Sequence, residues 1–215
     1  MRCLLPFLVV LLRAQSVKGN FLKSMLSRGK ASGMPVAALK SEILTLASKV
    51  DRGFIETSEE KETMLKLFEQ LEKKNKFKDS LKSPLINAVW DLKYTTSDSI
   101  LGRNGSKRIG PILQIIDGPN LFAKNTETLS FLGFINVPRS VTAALTPMTG
   151  SKVAVQFKKF TVGPLAFNAP ESFKGELDIT YIDEDLRLSR GDKGNIFVLT
   201  RFSDLPSSSA KSISV

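Results

Sequence analysis

The sequence predicts a mainly β protein, an antiparallel β-barrel of about eight strands with an N-terminal helix pair packed against it. Three observations lead there. The stretch Gly175–Phe202 reads as three consecutive strands, Glu176–Ile182, Leu186–Arg190 and Asn195–Phe202. They are joined at Asp183-Glu184-Asp185 and Gly191-Asp192-Lys193-Gly194, whose Asp and Gly residues tolerate the backbone angles of tight turns. In the first of them Leu177, Ile179 and Tyr181 alternate with Glu176, Asp178 and Thr180, so one face of the meander is apolar and must be covered. Five more strand-like runs precede it with no helix between them, and eight strands at this spacing with one apolar face suggest a closed sheet.

Taken in order, the chain opens with Met1-Arg2 and the apolar run Cys3–Leu12, which is too short to span a bilayer and looks like the start of a signal peptide. Ala14-Gln15-Ser16 offers a small-x-small cleavage site, and the basic, acid-free, Ser- and Gly-rich Val17–Gly33 has the composition of a transit peptide. Residues 1–33 are therefore read as a targeting leader. Two readings stay open: a bipartite leader for a plastid bounded by extra membranes, with Phe21 near the first cut, and a single transit peptide with an apolar start.

From Ala37 to Val50 the residues Leu39, Ile43, Leu46, Ala47 and Val50 fall on one helical stripe. Thr57 and Glu60 are spaced as a capping box, opening a second helix to about Lys74 with Met64, Leu65, Phe68 and Leu71 on one face. Its polar face mixes Lys61, Lys66, Lys73 and Lys74 with five glutamates, which suits packing against the barrel better than lying on a membrane. Residues 37–75 are thus a helix pair, and Asn75–Asn87 a polar connector. The barrel, residues 85–203, begins with strands at Val89–Thr95, Pro111–Asp117, Leu121–Leu129, Asn136–Leu145 and Lys152–Thr161, separated by turn signals such as Gly118-Pro119-Asn120 and Thr149-Gly150-Ser151. The Ser-rich tail, 204–215, is expected to be disordered.

Composition narrows the chemistry. Of the net charge of +10 on 215 residues, seven positive charges lie in residues 1–41, which hold no acid. That leaves about +3 for the rest, so the high pI argues little for nucleic acid as a partner. There is no histidine, and the single cysteine is Cys3. Disulfides, Cys/His zinc sites, Cys nucleophiles and Ser-His-Asp catalysis are thereby excluded for the barrel, and no catalytic residue, metal site or cofactor is assigned. Asp183-Glu184-Asp185 reads as a solvated turn, because a tight hairpin cannot wrap six to eight oxygens around calcium. Asn104-Gly105-Ser106 is a glycosylation sequon, and Gly102–Arg108 fails the phosphate-loop glycine spacing and reads as a mobile basic loop.

Two segments carry a family likeness: Trp90-Asp91-Leu92-Lys93-Tyr94-Thr95-Thr96-Ser97, and Leu177-Asp178-Ile179-Thr180-Tyr181-Ile182-Asp183-Glu184-Asp185-Leu186-Arg187-Leu188-Ser189-Arg190 continued by Gly191–Leu199. With them, Leu39–Phe202 resembles the plastid-lipid-associated protein family, the fibrillins or plastoglobulins. The resemblance implies a lipocalin-like barrel, location in a plastid at plastoglobules, thylakoids or in the stroma, and a non-catalytic role as carrier or coat for prenylquinones, carotenoids or acyl lipids. It also leaves a second reading, an adaptor that docks a plastid isoprenoid or quinone biosynthetic enzyme through the helix pair. A third, enzymatic reading would need Asp, Glu, Tyr or Lys chemistry in the cavity, and a secreted lipocalin is a further one, should only the signal peptide be removed.

Trp90, the only tryptophan, opens the first barrel strand. Likeness to lipocalins implies an arginine from a late strand across its ring, with Arg187, Arg190 and Arg201 as candidates, although Ala88 stands where lipocalins usually have glycine. Strand parity and loop position nominate Tyr94, Phe134, Phe157, Phe167, Tyr181 and Phe197 for contact with a hydrophobic ligand. Phe131–Ile135 and Val162–Phe167 are apolar where polar loops are expected, and would either admit a lipid or seat the protein on a lipid surface, with Lys158 and Lys159 beside the second suiting an anionic one. The competing reading turns both segments inward as strand ends or plugs.

Overall fold

The computed structural model describes residues 33–103 and 107–205. The bulk of the predicted leader, the sequon and residues 206–215 of the tail lie outside them. Two helices come first, α1 (Val36–Lys49) and α2 (Ser58–Glu72), and a single turn, α3 (Asp98–Leu101), follows the first strand. The strands are β1 (Ala88–Thr95), β2 (Lys107–Asp117), β3 (Phe122–Phe131), β4 (Ile135–Pro147), β5 (Lys152–Val162), β6 (Leu165–Asn168), β7 (Lys174–Ile182), β8 (Leu186–Gly191) and β9 (Ile196–Ser203). Each pairs antiparallel with its neighbour, and the pairings β4–β5 and β9–β1 close the eight strands other than β6 into a barrel. A closed ring leaves no unpaired edge, which is how an all-antiparallel sheet with one apolar face satisfies both its backbone and its core.

The eight expected strands are all present. The ninth, β6, corrects the reading of Val162–Phe167 as an inter-strand segment: the chain turns at Gly163, with φ +55°, and Leu165–Asn168 pairs back on the far half of β5. The near half of β5, Lys152–Gln156, pairs with β7 instead. The barrel wall therefore splits at β5, and β3, β4, β5 and β6, with the start of β2 beside β3, run on beyond the closed ring as a projecting flap.

Two β-bulges overturn the expected direction of side chains. Alternation alone would aim Trp90, Leu92 and Tyr94 at one face, but the β1–β9 register shifts between Leu92 and Tyr94. The same happens in β7 between Ile179 and Tyr181. An extra residue moves everything beyond it to the opposite face. Trp90, Leu92, Ile179 and Ile182 thus pack inside the barrel, whereas Tyr94 and Tyr181 turn to the outside, beneath the helices.

α1 and α2 cover that outer face, α1 against β1 and α2 against β7. Leu39, Ile43, Met64, Phe68 and Leu71 are fully buried, and Lys40 ties α1 to Asp183 at 2.9 Å and Asp185 at 3.1 Å. Between the helices Gly53 sits at φ +101°, where a Cβ would lie 2.6 Å from the Thr95 carbonyl oxygen, so only glycine lets the turn close onto β1. The predicted capping box is present: Thr57 Oγ1 accepts from the Glu60 N–H at 3.2 Å, and the Thr57 N–H donates to Glu60 Oε2 at 2.9 Å. The Lys49 ammonium, 2.7 Å from Glu60, and the Thr57 N–H hold that carboxyl down at about 2. Thr57→Ala is expected to cost about 1 kcal/mol in urea unfolding at neutral pH. Because the folded pKa is depressed, the Glu60 contribution is complete above its unfolded pKa of about 4.3 and is lost as pH falls towards 2. Lys49 and the backbone N–H survive Thr57→Ala, but the Thr57 hydroxyl also donates to Glu60 Oε2 at 3.0 Å. The gap between wild type and variant should therefore narrow slightly across that window without vanishing, since the bond to the Glu60 N–H does not titrate.

The connector 75–87 is less polar in effect than its composition suggests. Two short helical turns, Ser80–Lys82 and Pro84–Ile86, place Leu81, Leu85 and Ile86 against the interior core. The Leu81 N–H donates to Gly150 O at 2.9 Å, and a Cβ on Gly150 would meet the Asp79 carboxylate, so connector and β4–β5 turn lie in close contact there. This plug closes one end of the barrel.

Candidate functional site

The inner faces of the strands enclose a cavity of about 860 Å³. This lies within the range of about 300–1,000 Å³ usual for small-molecule sites. Ile86, Ile112, Ile116, Ile179 and Leu199 line its depth, Val141, Ala143 and Val155 its middle, and Phe157, Phe160 and Phe173 its mouth. Polar groups are few and arranged: Gln114 Nε2 donates to Asn125 Oδ1 at 3.1 Å, and Glu127 is held by Arg108 at 3.1 Å and by Arg139.

At the mouth the Phe160 ring lies 6.4 Å from that of Phe157 and 5.8 Å from those of Phe167 and Phe173, so four phenylalanines form one cluster. The wall does not end there. Val141 and Arg139 face the cavity on β4, and parity carries the same face to Val137 and Ile135, which stand opposite Leu129 and Phe131 of β3. On β5 the same face runs from Phe160 to Val162, opposite Phe167 and Leu165 of β6. The flap thus continues the apolar lining past the mouth, and its outer part is solvent-exposed: Leu165 68%, Phe167 53%, and, at the β3–β4 turn, Leu132 82% and Phe134 73%.

At the opposite end the buried Trp90 donates Nε1–H to the Ile86 carbonyl at 3.1 Å. Two guanidiniums lie over its ring, Arg187 at 5.1 Å and Arg201 at 5.3 Å. Arg201 also donates to the carbonyls of Leu85 at 2.7 Å and Glu184 at 2.9 Å, stitching the plug to β9 and the β7–β8 turn. Arg187 is wholly buried and lines the cavity, and burial pulls its pKa down to about 9. Arg190 does not reach Trp90. It points outward, 5.1 Å over the Phe68 ring and bonded to Glu72 at 2.8 and 2.7 Å, because β8 alternates and Arg190 is odd-numbered steps from Arg187.

Of the six residues nominated for ligand contact, Phe157 and Phe197 line the cavity, Phe167 joins the mouth cluster, and Phe134 stands on the exposed turn. Tyr94 and Tyr181 do not face the cavity, for the bulges put them under the helices. There Tyr94 donates to Glu56 at 2.5 Å and Tyr181 to Asp183 at 2.6 Å, and burial raises both phenol pKa values. Asp183 is fully engaged by Tyr181, Lys40 and the N–H groups of Asp185 and Leu186. Parity reasoning passed over Phe160, Phe173, Gln114 and Ser189. A hint was present in Phe157 and Phe160, three apart on one strand, which share a face only if a bulge lies between them, as the β4–β5 register shift at Lys158 shows.

An eight-stranded antiparallel barrel, plugged behind a Trp–Arg floor and opening at its other end through an apolar mouth, is a lipocalin-like barrel. The chain belongs to the plastid-lipid-associated protein, or fibrillin, family: the PAP_fibrillin family model matches residues 37–166 and 163–200. It is 34% identical over 168 residues to probable plastid-lipid-associated protein 5, chloroplastic, of Arabidopsis thaliana, covering 76% of this chain and 69% of that one. It is 29% identical to probable plastid-lipid-associated protein 8, chloroplastic, of the same plant, over 83% of this chain and 84% of the relative. With the plastid-lipid-associated protein, chloroplastic, of Citrus unshiu the identity is 25%, over 76% and 67%. No solved structure matches the chain. Its family places the protein in plastids, in a lipid-associated role.

Proposed function

We propose that the barrel holds one hydrophobic small molecule and rests its mouth on a plastid lipid surface, acting without catalysis as a carrier or coat for prenylquinones, carotenoids or acyl lipids at plastoglobules or thylakoids. The observation that carries this is the continuity of the apolar lining from the cavity, through the phenylalanine cluster, onto the exposed flap. A molecule passing along that face exchanges a lipid phase for an apolar wall without crossing water, and the driving force is desolvation. Each exposed Phe or Leu buried in lipid contributes about 1.5–3 kcal/mol, so Phe134, Leu165 and Phe167 together suffice for a reversible attachment, with the exposed Lys158 and Lys159 on the opposite face of β5. Phe157 and Phe197 would contact the ligand inside. The leader, residues 1–33, would deliver the chain to the plastid.

The adaptor reading has the solvated faces of α1 and α2 to work with, because their apolar stripes are buried beneath them. The lipid-surface reading is tested by flotation of the protein with plastoglobule-sized lipid droplets. Phe134→Asp/Phe167→Asp should lower the floated fraction at least tenfold while the thermal midpoint stays within a few degrees of wild type. Undiminished flotation of a folded double variant would contradict it.

A further inference from the structure

Arg187 does more than stack on Trp90. Its side chain is wholly buried, yet only one of its nitrogens, Nη2, has a hydrogen-bond partner, the neutral Gln114 Oε1. Nε and Nη1 have none among the described residues, and neither has the buried Ser189 Oγ beside them on β8. Each edge of the guanidinium fork therefore keeps a free donor. Ile112, Ile116, Ile179 and Leu199 line the same cavity, and its nearest carboxylate along β3, Glu127, opposite the β2 bulge that holds Ile112, is already held by Arg108 and Arg139. Among the described residues Arg187 bonds only to Gln114. Arg187 lies four residues along β8 from Gly191 at the mouth, about 13 Å at about 3.3 Å per residue.

A buried cation without a counter-charge is destabilising unless something compensates it. The Trp90 ring, 5.1 Å away, offsets part of the cost. What would offset the rest is a monoanion with two acceptor oxygens, the geometry a guanidinium fork matches best. One cation balances one negative charge, which favours a carboxylate over a doubly charged phosphate. Between that point and the mouth the lining is mainly apolar, with Val141, Ala143, Val155 and Phe157.

We propose that the cavity takes a long-chain fatty acid head-first, its carboxylate on Arg187 with Ser189 as a further donor, and its tail leaving past the phenylalanine cluster onto the flap. This rests on the barrel binding a hydrophobic molecule in its cavity, and adds the head group and its direction. A head-out arrangement would instead place the carboxylate on the exposed Lys174 and Lys193.

The test uses the full chain stripped of lipid and titrated with oleic acid labelled with carbon-13 at its carboxyl, with methyl oleate as the uncharged comparison. The acid should bind at least tenfold more tightly than the ester. The carboxyl resonance of bound oleate should titrate at lower pH than that of the free acid, and should resist broadening by a soluble paramagnetic complex that broadens the tail methyl. Arg187→Met should abolish the preference for the acid and leave ester binding in place; if that variant does not fold, the acid–ester ratio and the broadening pattern of the wild type decide. Equal affinity for acid and ester, or a carboxyl broadened by the complex and released by Lys174→Ala/Lys193→Ala, overturns the inference while leaving a lipid-binding cavity. Binding of neither molecule overturns the cavity reading itself.

Discussion

Ala143→Phe/Val155→Trp is expected to reduce uptake of a hydrophobic probe by at least tenfold while flotation on lipid droplets persists. Ala143 on β4 and Val155 on β5 both face the cavity at mid-depth. Enlarging side chains in a packed core usually costs about 1–3 kcal/mol, but here the added rings enter open space, so the thermal midpoint should fall by only a few degrees. A tenfold loss corresponds to about 1.4 kcal/mol of binding free energy, less than the contribution of a single apolar side chain denied its contact. The flap variant Phe134→Asp/Phe167→Asp should show the stronger flotation defect. Loss of both properties together in either folded variant would mean that cavity and flap do not act separately, and would count against a carrier that docks with one surface and holds cargo in another.

Trp90→Ala should cost about 3–5 kcal/mol in urea unfolding, the range for deleting a large buried aromatic. Against a total stability of about 5–15 kcal/mol for a domain, that approaches loss of the fold. Three things go at once: the packing of a fully buried indole among Ile86, Leu92, Ile116 and Ile182, the bond to the Ile86 carbonyl, and the aromatic face over which Arg187 and Arg201 lie. Trp90→Phe keeps the packing and a face for the guanidiniums but not the N–H, and should lose about half as much. A Trp90→Ala protein as stable as wild type would show that the floor is not what holds plug and barrel together.

How much of this was legible in the chain depends on whether local pattern or long-range geometry decides the feature. The eight barrel strands and the helix pair follow from alternation, helical stripes and the Thr57–Glu60 spacing, all written within a few residues. Tyr94 and Tyr181 were misdirected for one reason: Lys93 and Thr180 are the extra residues of bulges whose cause is the partner strand's register, which no local pattern announces. β6 escaped notice because four residues around Gly163 and Pro164 look like a loop until β5 provides the pairing partner. The connector 75–87 reads as polar, yet three apolar residues, Leu81, Leu85 and Ile86, are enough to plug a barrel end. At the site, the sequence leaves Arg187, Arg190 and Arg201 as equal candidates for the Trp90 ring, and only the direction of β8 separates Arg187 and Arg201, which lie over it, from Arg190, which lies over Phe68. That Arg187 has no carboxylate partner among the described residues is a property of eight strands together, visible only once they are closed.

The measurement that bears most directly on the account is the lipid content of the protein isolated from its plastid, extracted and weighed by mass spectrometry against the amount of chain. A barrel that carries cargo in its cavity should bring close to one long-chain hydrophobic molecule per chain, and the Ala143→Phe/Val155→Trp variant isolated in parallel should bring almost none. Equal lipid on the two proteins, or none on the wild type, would contradict it.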